Sequence, residues 1–183
     1  IIYVSKIDEY KNHLQVIEAV RKLKEKKYPI KLSLVGSNYP KSYKNLMNNL
    51  KIIKNYNEYI KILGEINYKK LPKIYNDSDL IIFASSCENL PIILLEGMAT
   101  GLPIVSSKNM PMPEILIDSA IYFNPLNGNS IYKGLKKMID NPLIRQELSI
   151  KSKKLSLAYN WEKCSNETFK YLYEVYKELI GLK

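Results

Sequence analysis

Two glutamates, Glu88 and Glu96, stand eight positions apart in the stretch Ser85-Ser86-Cys87-Glu88-Asn89-Leu90-Pro91-Ile92-Ile93-Leu94-Leu95-Glu96-Gly97-Met98-Ala99-Thr100-Gly101-Leu102-Pro103. The stretch reads as a loop followed by a short helix. The first turn of a helix offers backbone N–H groups without partners and the positive end of a dipole, which suits an anion. Carboxylates accept hydrogen bonds from hydroxyls. Two carboxylates flanking such a helix start therefore suit a phosphate with hydroxyls beside it, which is the chemistry of a nucleotide sugar. Spacing alone supports a plainer reading equally well, with Glu88 as a capping acid and Glu96 as a solvated helix residue.

The elements around this stretch are those of an α/β unit. Asp79 to Ala84 is an apolar run of strand length. Pro91 suits the first helical position, where its missing N–H is no loss. Gly101 suits the residue just past the helix, where left-handed backbone is cheap only for glycine. Leu102-Pro103-Ile104-Val105-Ser106 then opens another strand. In open α/β sheets ligands bind beyond the carboxyl ends of the strands, and the loop from Ser85 to Leu90 lies at such an end.

Read from Glu88 to Val105, the chain is E-N-L-P-I-I-L-L-E-G-M-A-T-G-L-P-I-V. This resembles the Glu-x7-Glu signature of the retaining GT-B-fold glycosyltransferases (glycosyl transferases group 1), usually E-G-x-P-x-x-x-x-E-A-M-A-x-G-x-P-V-V. Asn89 stands for the usual Gly and Gly97 for the usual Ala. Upstream, Ser5-Lys6 and Lys11-Asn12 resemble the family's V-G-R-x-x-x-x-K-G/N segment, with Ser5 for Gly and Lys6 for Arg. An ammonium binds phosphate as a point charge, where a guanidinium grips it with a fork. Pro113 and Glu114 resemble the family's G-G-x-P-E without its glycines, and Glu114 reads as a helix-start residue.

The chain in order supplies the scaffold. Ile1 to Val4 is a first strand, and Lys6 and Lys11 follow it. Asn12 reads as the N-cap of a helix carrying Leu14, Ile17, Val20 and Leu23. Ile30 to Val35 is a strand ending at Gly36, where a glycine lets backbone approach a nucleoside closely. A helix follows over Tyr43 to Asn55, then a strand over Ile60 to Leu63 and a loop at Gly64 to Ile66. Ser119 to Pro125 reads as the last short strand with a turn. Ile131, Leu135, Met138 and Ile139 form a helical stripe, and Pro142 starts another helix. A final helix from Trp161 through Phe169, Leu172, Tyr173, Val175, Tyr176 and Leu179 reads as a packed terminal helix.

Composition bounds the class. The 183 residues suffice for one domain with a full core, and 46% hydrophobic with 25% charged residues is ordinary for a globular chain. The net charge is +10, from 28 Lys+Arg against 18 Asp+Glu. No nucleic-acid motif accompanies it, and Lys24, Lys26, Lys27, Lys136 and Lys137 read as solvated helix faces. Cys87 and Cys164 have no metal or redox spacing and read as free buried thiols of a reducing cytoplasm. His13 is the only histidine, which leaves a zinc site or a Ser-His-Asp triad without support. The chain opens on Ile1 inside a strand, with no initiator Met, so a fragment of a longer protein is expected.

The alternation predicts a Rossmann-like, doubly wound, mostly parallel sheet with helices on both faces, as one domain over 1–183. Lys6, Gly36, Ile66 and Glu88 then fall at carboxyl ends of successive strands. The resemblance implies the C-terminal, nucleotide-sugar-binding half of a GT-B fold. By it, Glu96 accepts hydrogen bonds from ribose hydroxyls and Glu88 contacts the donor sugar. Lys6 and Lys11 neutralise the diphosphate, helped by backbone N–H groups along the Asn89-Leu90-Pro91-Ile92 stretch. Ile66 lies where the base is held. The implied substrate is a UDP-, GDP- or ADP-linked sugar, with no metal and no other cofactor. The glycan or lipid-linked acceptor would be held by an absent N-terminal domain, so the isolated chain is expected to be inactive. A cytoplasmic location is expected, and the basic charge would also suit peripheral association with the inner face of a membrane. Two alternatives stay open, a non-catalytic nucleotide- or sugar-binding module of the same fold and a sugar-nucleotide epimerase.

Overall fold

The computed structural model describes residues 1–181. Six short strands alternate with eight helices: β1 (Ile2–Val4), α1 (His13–Glu25), β2 (Leu32–Val35), α2 (Pro40–Ile52), β3 (Ile60–Gly64), α3 (Leu71–Asn76), β4 (Ile81–Phe83), α4 (Ile92–Thr100), β5 (Ile104–Ser107), α5 (Met112–Leu116), β6 (Ala120–Phe123), α6 (Gly128–Asp140), α7 (Pro142–Ser156) and α8 (Trp161–Leu179). Three 3₁₀ turns intervene, at Glu9–Lys11, Tyr56–Glu58 and Tyr68–Lys70.

All strand pairings are parallel, and the sheet order is β3-β2-β1-β4-β5-β6. This is the doubly wound order. The chain runs outward from β1 to β3, then returns to the other side of β1 to lay down β4. Loops leaving β1 and β4 therefore part at a switch point and leave a crevice above the sheet. Parallel strands covered on both faces read as continuous apolar runs, and Ile2, Tyr3, Ile82, Ile104 and Val105 are fully buried.

The helical stripes face this sheet. Val16, Ile17, Val20 and Leu23 of α1 are buried, as are Ile131, Leu135 and Met138 of α6. The two helices pack closely at Gly128, where an added Cβ would meet the Glu18 carboxylate at 2.2 Å. The charged residues lie at the rim of this contact and on the outer faces. Lys22 pairs with Glu18 at 2.5 Å, and Lys24 lies 5.7 Å from the Tyr59 ring.

Four expectations are corrected here. The final helix forms, but α8 buries none of its residues, and Trp161 is 77% exposed. Its stripe finds no partner surface among the described residues. Cys87 and Cys164 are free but exposed, because one lies in a loop and the other on α8. Asn12 occupies the N-cap position of α1, yet its side chain makes no cap bond. Its backbone is left-handed, with φ 55°, and its amide points elsewhere. Finally, α4 starts at Ile92, so Pro91 is the residue before the helix and not its first.

Candidate functional site

The carboxyl edge of the sheet is built from the loops after β1, β4 and β5, and polar side chains tie them together. The Tyr10 carbonyl accepts from the Ser86 N–H at 2.8 Å, the Ser86 hydroxyl at 3.1 Å and the Asn12 amide at 2.9 Å. The same Asn12 amide also donates to the Ala84 carbonyl at 2.7 Å, at the end of β4. Asn109, after β5, donates to the Ser86 carbonyl at 3.1 Å. Asn tolerates left-handed backbone better than most residues, and here the strained turn and the amide act together. They clamp the Lys11 turn onto the loop that carries Glu88.

Across that clamp, Lys11 and Glu88 form an ion pair through Nζ and Oε1. The lysine side chain is 9% exposed and the glutamate side chain 13%. Lys11 Nζ also lies 4.8 Å from the Tyr10 ring and 5.6 Å from the Phe83 ring. The two residues are 77 positions apart in sequence and meet at the switch point between β1 and β4. The Lys11 carbonyl is held from beneath by the buried Tyr3 hydroxyl at 2.7 Å.

His13 lies beside this support. Its ring stacks on Tyr3 at 4.8 Å, and Nε2 lies 3.1 Å from the Ser5 hydroxyl. Burial drives its pKa down to about 4, so at neutral pH it is an uncharged packing residue.

Lys6 sits on the same edge but is exposed. Its Nζ is 3.9 Å from the Asp8 carboxylate and 5.6 Å from the Tyr39 ring. Gly36 ends β2 with φ 139°, and a Cβ there would lie 2.3 Å from the Ser5 carbonyl oxygen. Its close approach is thus to the chain's own backbone after β1. Ile66, after β3, is half-buried and packs against the core.

The start of α4 faces this edge. Asn89 and Leu90 are exposed, Pro91 is buried and has no N–H, and the Ile92 N–H is spent on the Leu90 carbonyl at 3.0 Å. Of the four residues named for backbone donation, Asn89 and Leu90 keep N–H groups without a partner among the described residues, and Ile93 joins them. Glu96 lies one turn further along α4, facing α3. It lines one groove with Tyr68 and Tyr75. Its charge holds the Tyr68 pKa up; for the buried Tyr75, burial is the larger cause of the same shift.

The structure thus joins Lys11 and Glu88 directly, sets Glu96 on the α3 side and leaves Lys6 on the β2 side. Together they can neutralise an anion, offer amide donors to it and accept from hydroxyls nearby. A separate cavity of about 1150 Å³, with Ile1, Lys31, Lys61 and Arg145 in its wall, opens at the amino end of the strands. It contains none of these residues. Among the described residues, no three His, Cys, Asp or Glu side chains converge as a metal site would need.

The sequence profile of the glycosyl transferases group 1 matches residues 1–155. An uncharacterised glycosyltransferase of Methanocaldococcus jannaschii is 27% identical over 184 aligned positions, which cover 99% of this chain and 46% of that protein. The C-terminal domain of a group 1 glycosyl transferase from Francisella tularensis superposes with a TM-score of 0.74 at 24% identity, covering 86% of this chain and 84% of that one. Anabaena HepE, solved in complex with UDP, superposes with a TM-score of 0.83 at 16% identity, covering 94% of this chain and 48% of that one. The chain spans less than half the length of the curated relatives it matches. It belongs to the glycosyl transferases group 1, and its fold is the Rossmann-like one of their C-terminal domains.

Proposed function

We propose that this chain is the nucleotide-sugar-binding domain of a retaining glycosyltransferase. The observation that carries the reading is the Lys11–Glu88 pair, which lies at the sheet's switch point within reach of the free N–H groups at the start of α4. A diphosphate bound there meets Lys11, with Lys6 at the crevice mouth and the amides of Asn89, Leu90 and Ile93 on the helix side. Glu96 accepts from the ribose hydroxyls. UDP bound in the HepE neighbour is consistent with a nucleotide at this kind of site.

The chemistry is departure of the nucleoside diphosphate from the anomeric carbon of the sugar. Negative charge grows on the leaving phosphate, and fixed donors in a crevice lower the barrier by meeting it. Lys11 is well placed for this because Glu88, the Asn12 clamp and Tyr3 hold it rigid before the donor arrives. Glu88 keeps an oxygen for a sugar hydroxyl while its other oxygen holds Lys11. No step in this scheme requires a metal. The acceptor, a glycan or lipid-linked sugar, is held by a second domain, and the coverage of under half of the relatives supports that division. On this reading the 183-residue chain alone binds nucleotide and transfers little sugar. The transfer takes place in the cytoplasm, at the membrane's inner face where the acceptor is lipid-linked.

The test is calorimetric titration with UDP, GDP and ADP at physiological salt. Glu96→Ala is expected to weaken the best of them by about 1–3 kcal/mol, the cost of leaving polar groups unpaired. Absence of binding by all three nucleotides would overturn the donor-domain reading. Nucleotide binding without any transfer by the longer protein would favour a non-catalytic module, and a changed sugar with no acceptor would favour an epimerase.

A further inference from the structure

Resting on the donor-domain reading, we propose that Tyr10 is a positioning residue for Lys11: its ring holds the lysine charge at the diphosphate site without neutralising it. Three observations carry this. First, the Lys11 ammonium is caged by the Glu88 carboxylate, the Tyr10 ring at 4.8 Å and the Phe83 ring at 5.6 Å. Both ring distances fall within the roughly 6 Å over which an aromatic face attracts a cation. Phe83 ends β4 and is only 3% exposed, whereas Tyr10 is 40% exposed, so Tyr10 closes the cage on the solvent side. Second, the Tyr10 backbone is fixed from both directions. It is the middle residue of the 3₁₀ turn Glu9–Lys11, in which the Lys11 N–H donates to the Asp8 carbonyl and the Asn12 N–H to the Glu9 carbonyl, each at 3.1 Å. Its own carbonyl takes the donors from Ser86 and Asn12, and the next carbonyl takes the Tyr3 hydroxyl. Third, among the described residues the Lys11 ammonium donates to no acceptor other than Glu88.

The physical role follows from the different ways a carboxylate and a ring hold an ammonium. A carboxylate neutralises the charge and takes up a donor. A ring face attracts the charge through its quadrupole and leaves the net charge and the donors as they were. An ammonium has three N–H donors. With one spent on Glu88, the others are left for phosphate oxygens, and the rings keep the group in place while those bonds form. Glu88 can then turn an oxygen to the sugar without Lys11 drifting from the site. A lysine stem is flexible and costly to order, and a cage formed before the ligand arrives lowers that cost at binding. The tyrosine has few side-chain torsions of its own, so the cage is cheap to hold.

The experiment is calorimetric titration of the 183-residue chain with UDP, GDP and ADP, continued with the tightest binder across a graded series at Tyr10. Tyr10→Phe keeps the ring face and is expected to bind within about 2-fold of the wild type. Adding successive fluorines to that phenylalanine drains the ring face of negative charge at nearly constant size. Affinity should fall stepwise along the series, by roughly 3- to 10-fold in all, and Tyr10→Leu should match its lower end. Packing alone would not respond to the fluorines in this graded way. Glu96→Ala serves as the reference variant for the nucleotide site. If it loses affinity while the fluorinated variants and Tyr10→Leu bind like Tyr10→Phe, the assignment of Tyr10 is wrong and the donor site stands. A loss in Tyr10→Leu with a flat fluorine series would also overturn it, because the ring would then act by its shape. If the wild type binds no nucleotide, the donor reading fails and the role of Tyr10 with it.

Discussion

Removing one partner of the Lys11–Glu88 pair should destabilise the fold far more than removing both. The two side chains are 9% and 13% exposed, and each is the other's counter-ion. Lys11→Met leaves the Glu88 carboxylate nearly buried without a cation. Breaking such a pair costs on the order of 3–5 kcal/mol when burial is complete. Residual exposure places this one at the low end, about 3 kcal/mol. For a chain of 183 residues, each kcal/mol corresponds to roughly 2–4 °C in Tm. The expected drop for Lys11→Met is therefore about 6–12 °C. Replacing a buried pair with apolar groups of similar size is often neutral, so Lys11→Met/Glu88→Leu should recover most of the loss. The assay is urea unfolding followed by far-ultraviolet circular dichroism, with Tm as a second measure. The double variant should be folded and unable to bind nucleotide, which separates the pair's structural role from its role at the donor. A single-variant loss below about 0.5 kcal/mol, or a double variant as unstable as the single, would refute this account of the pair.

Three further outcomes are expected. His13 is held at a pKa of about 4 by burial, against an ordinary 6.5, so the unfolded chain binds its proton first as pH falls. Its contribution is full above pH 6.5 and is lost on the way down to 4; about 1 kcal/mol should go between pH 7 and 5.5. His13→Phe, which keeps the stack on Tyr3, should flatten that slope, and an unchanged slope would show that another group causes it. Gly36→Ala must place a Cβ 2.3 Å from the Ser5 carbonyl at φ 139°. A loss of about 2–3 kcal/mol in urea unfolding is expected, and a neutral result would mean that the loop after β1 shifts freely. Deleting residues 161–183 should change domain stability by less than about 0.5 kcal/mol, because α8 buries no residue. A larger loss, or blue-shifted emission from Trp161 in the intact chain, would show that α8 is packed in solution.

The sequence alone determined the elements and their type. Apolar runs bounded by turns marked each strand, and stripes such as Ile131, Leu135 and Met138 marked the buried helix faces, because periodicity records locally which side meets a core. It also determined the chemistry available at Glu88, Glu96, Lys6 and Lys11, because the motif is a matter of residue type and spacing. The order of strands in space came only with the tertiary structure. Strands met in the order one, two, three, four lie as three, two, one, four, and that reversal puts Lys11 against a glutamate 77 positions away. Nothing local encodes such a contact; it follows from the handedness of the crossovers and the packing of the whole sheet. The same holds for Gly36, whose need for glycine comes from Ser5 on the neighbouring strand's loop. In α8 the limit runs the other way. Its apolar stripe promised a buried face, but a stripe states only that a helix can be buried, and whether a surface exists to receive it is decided by the rest of the fold.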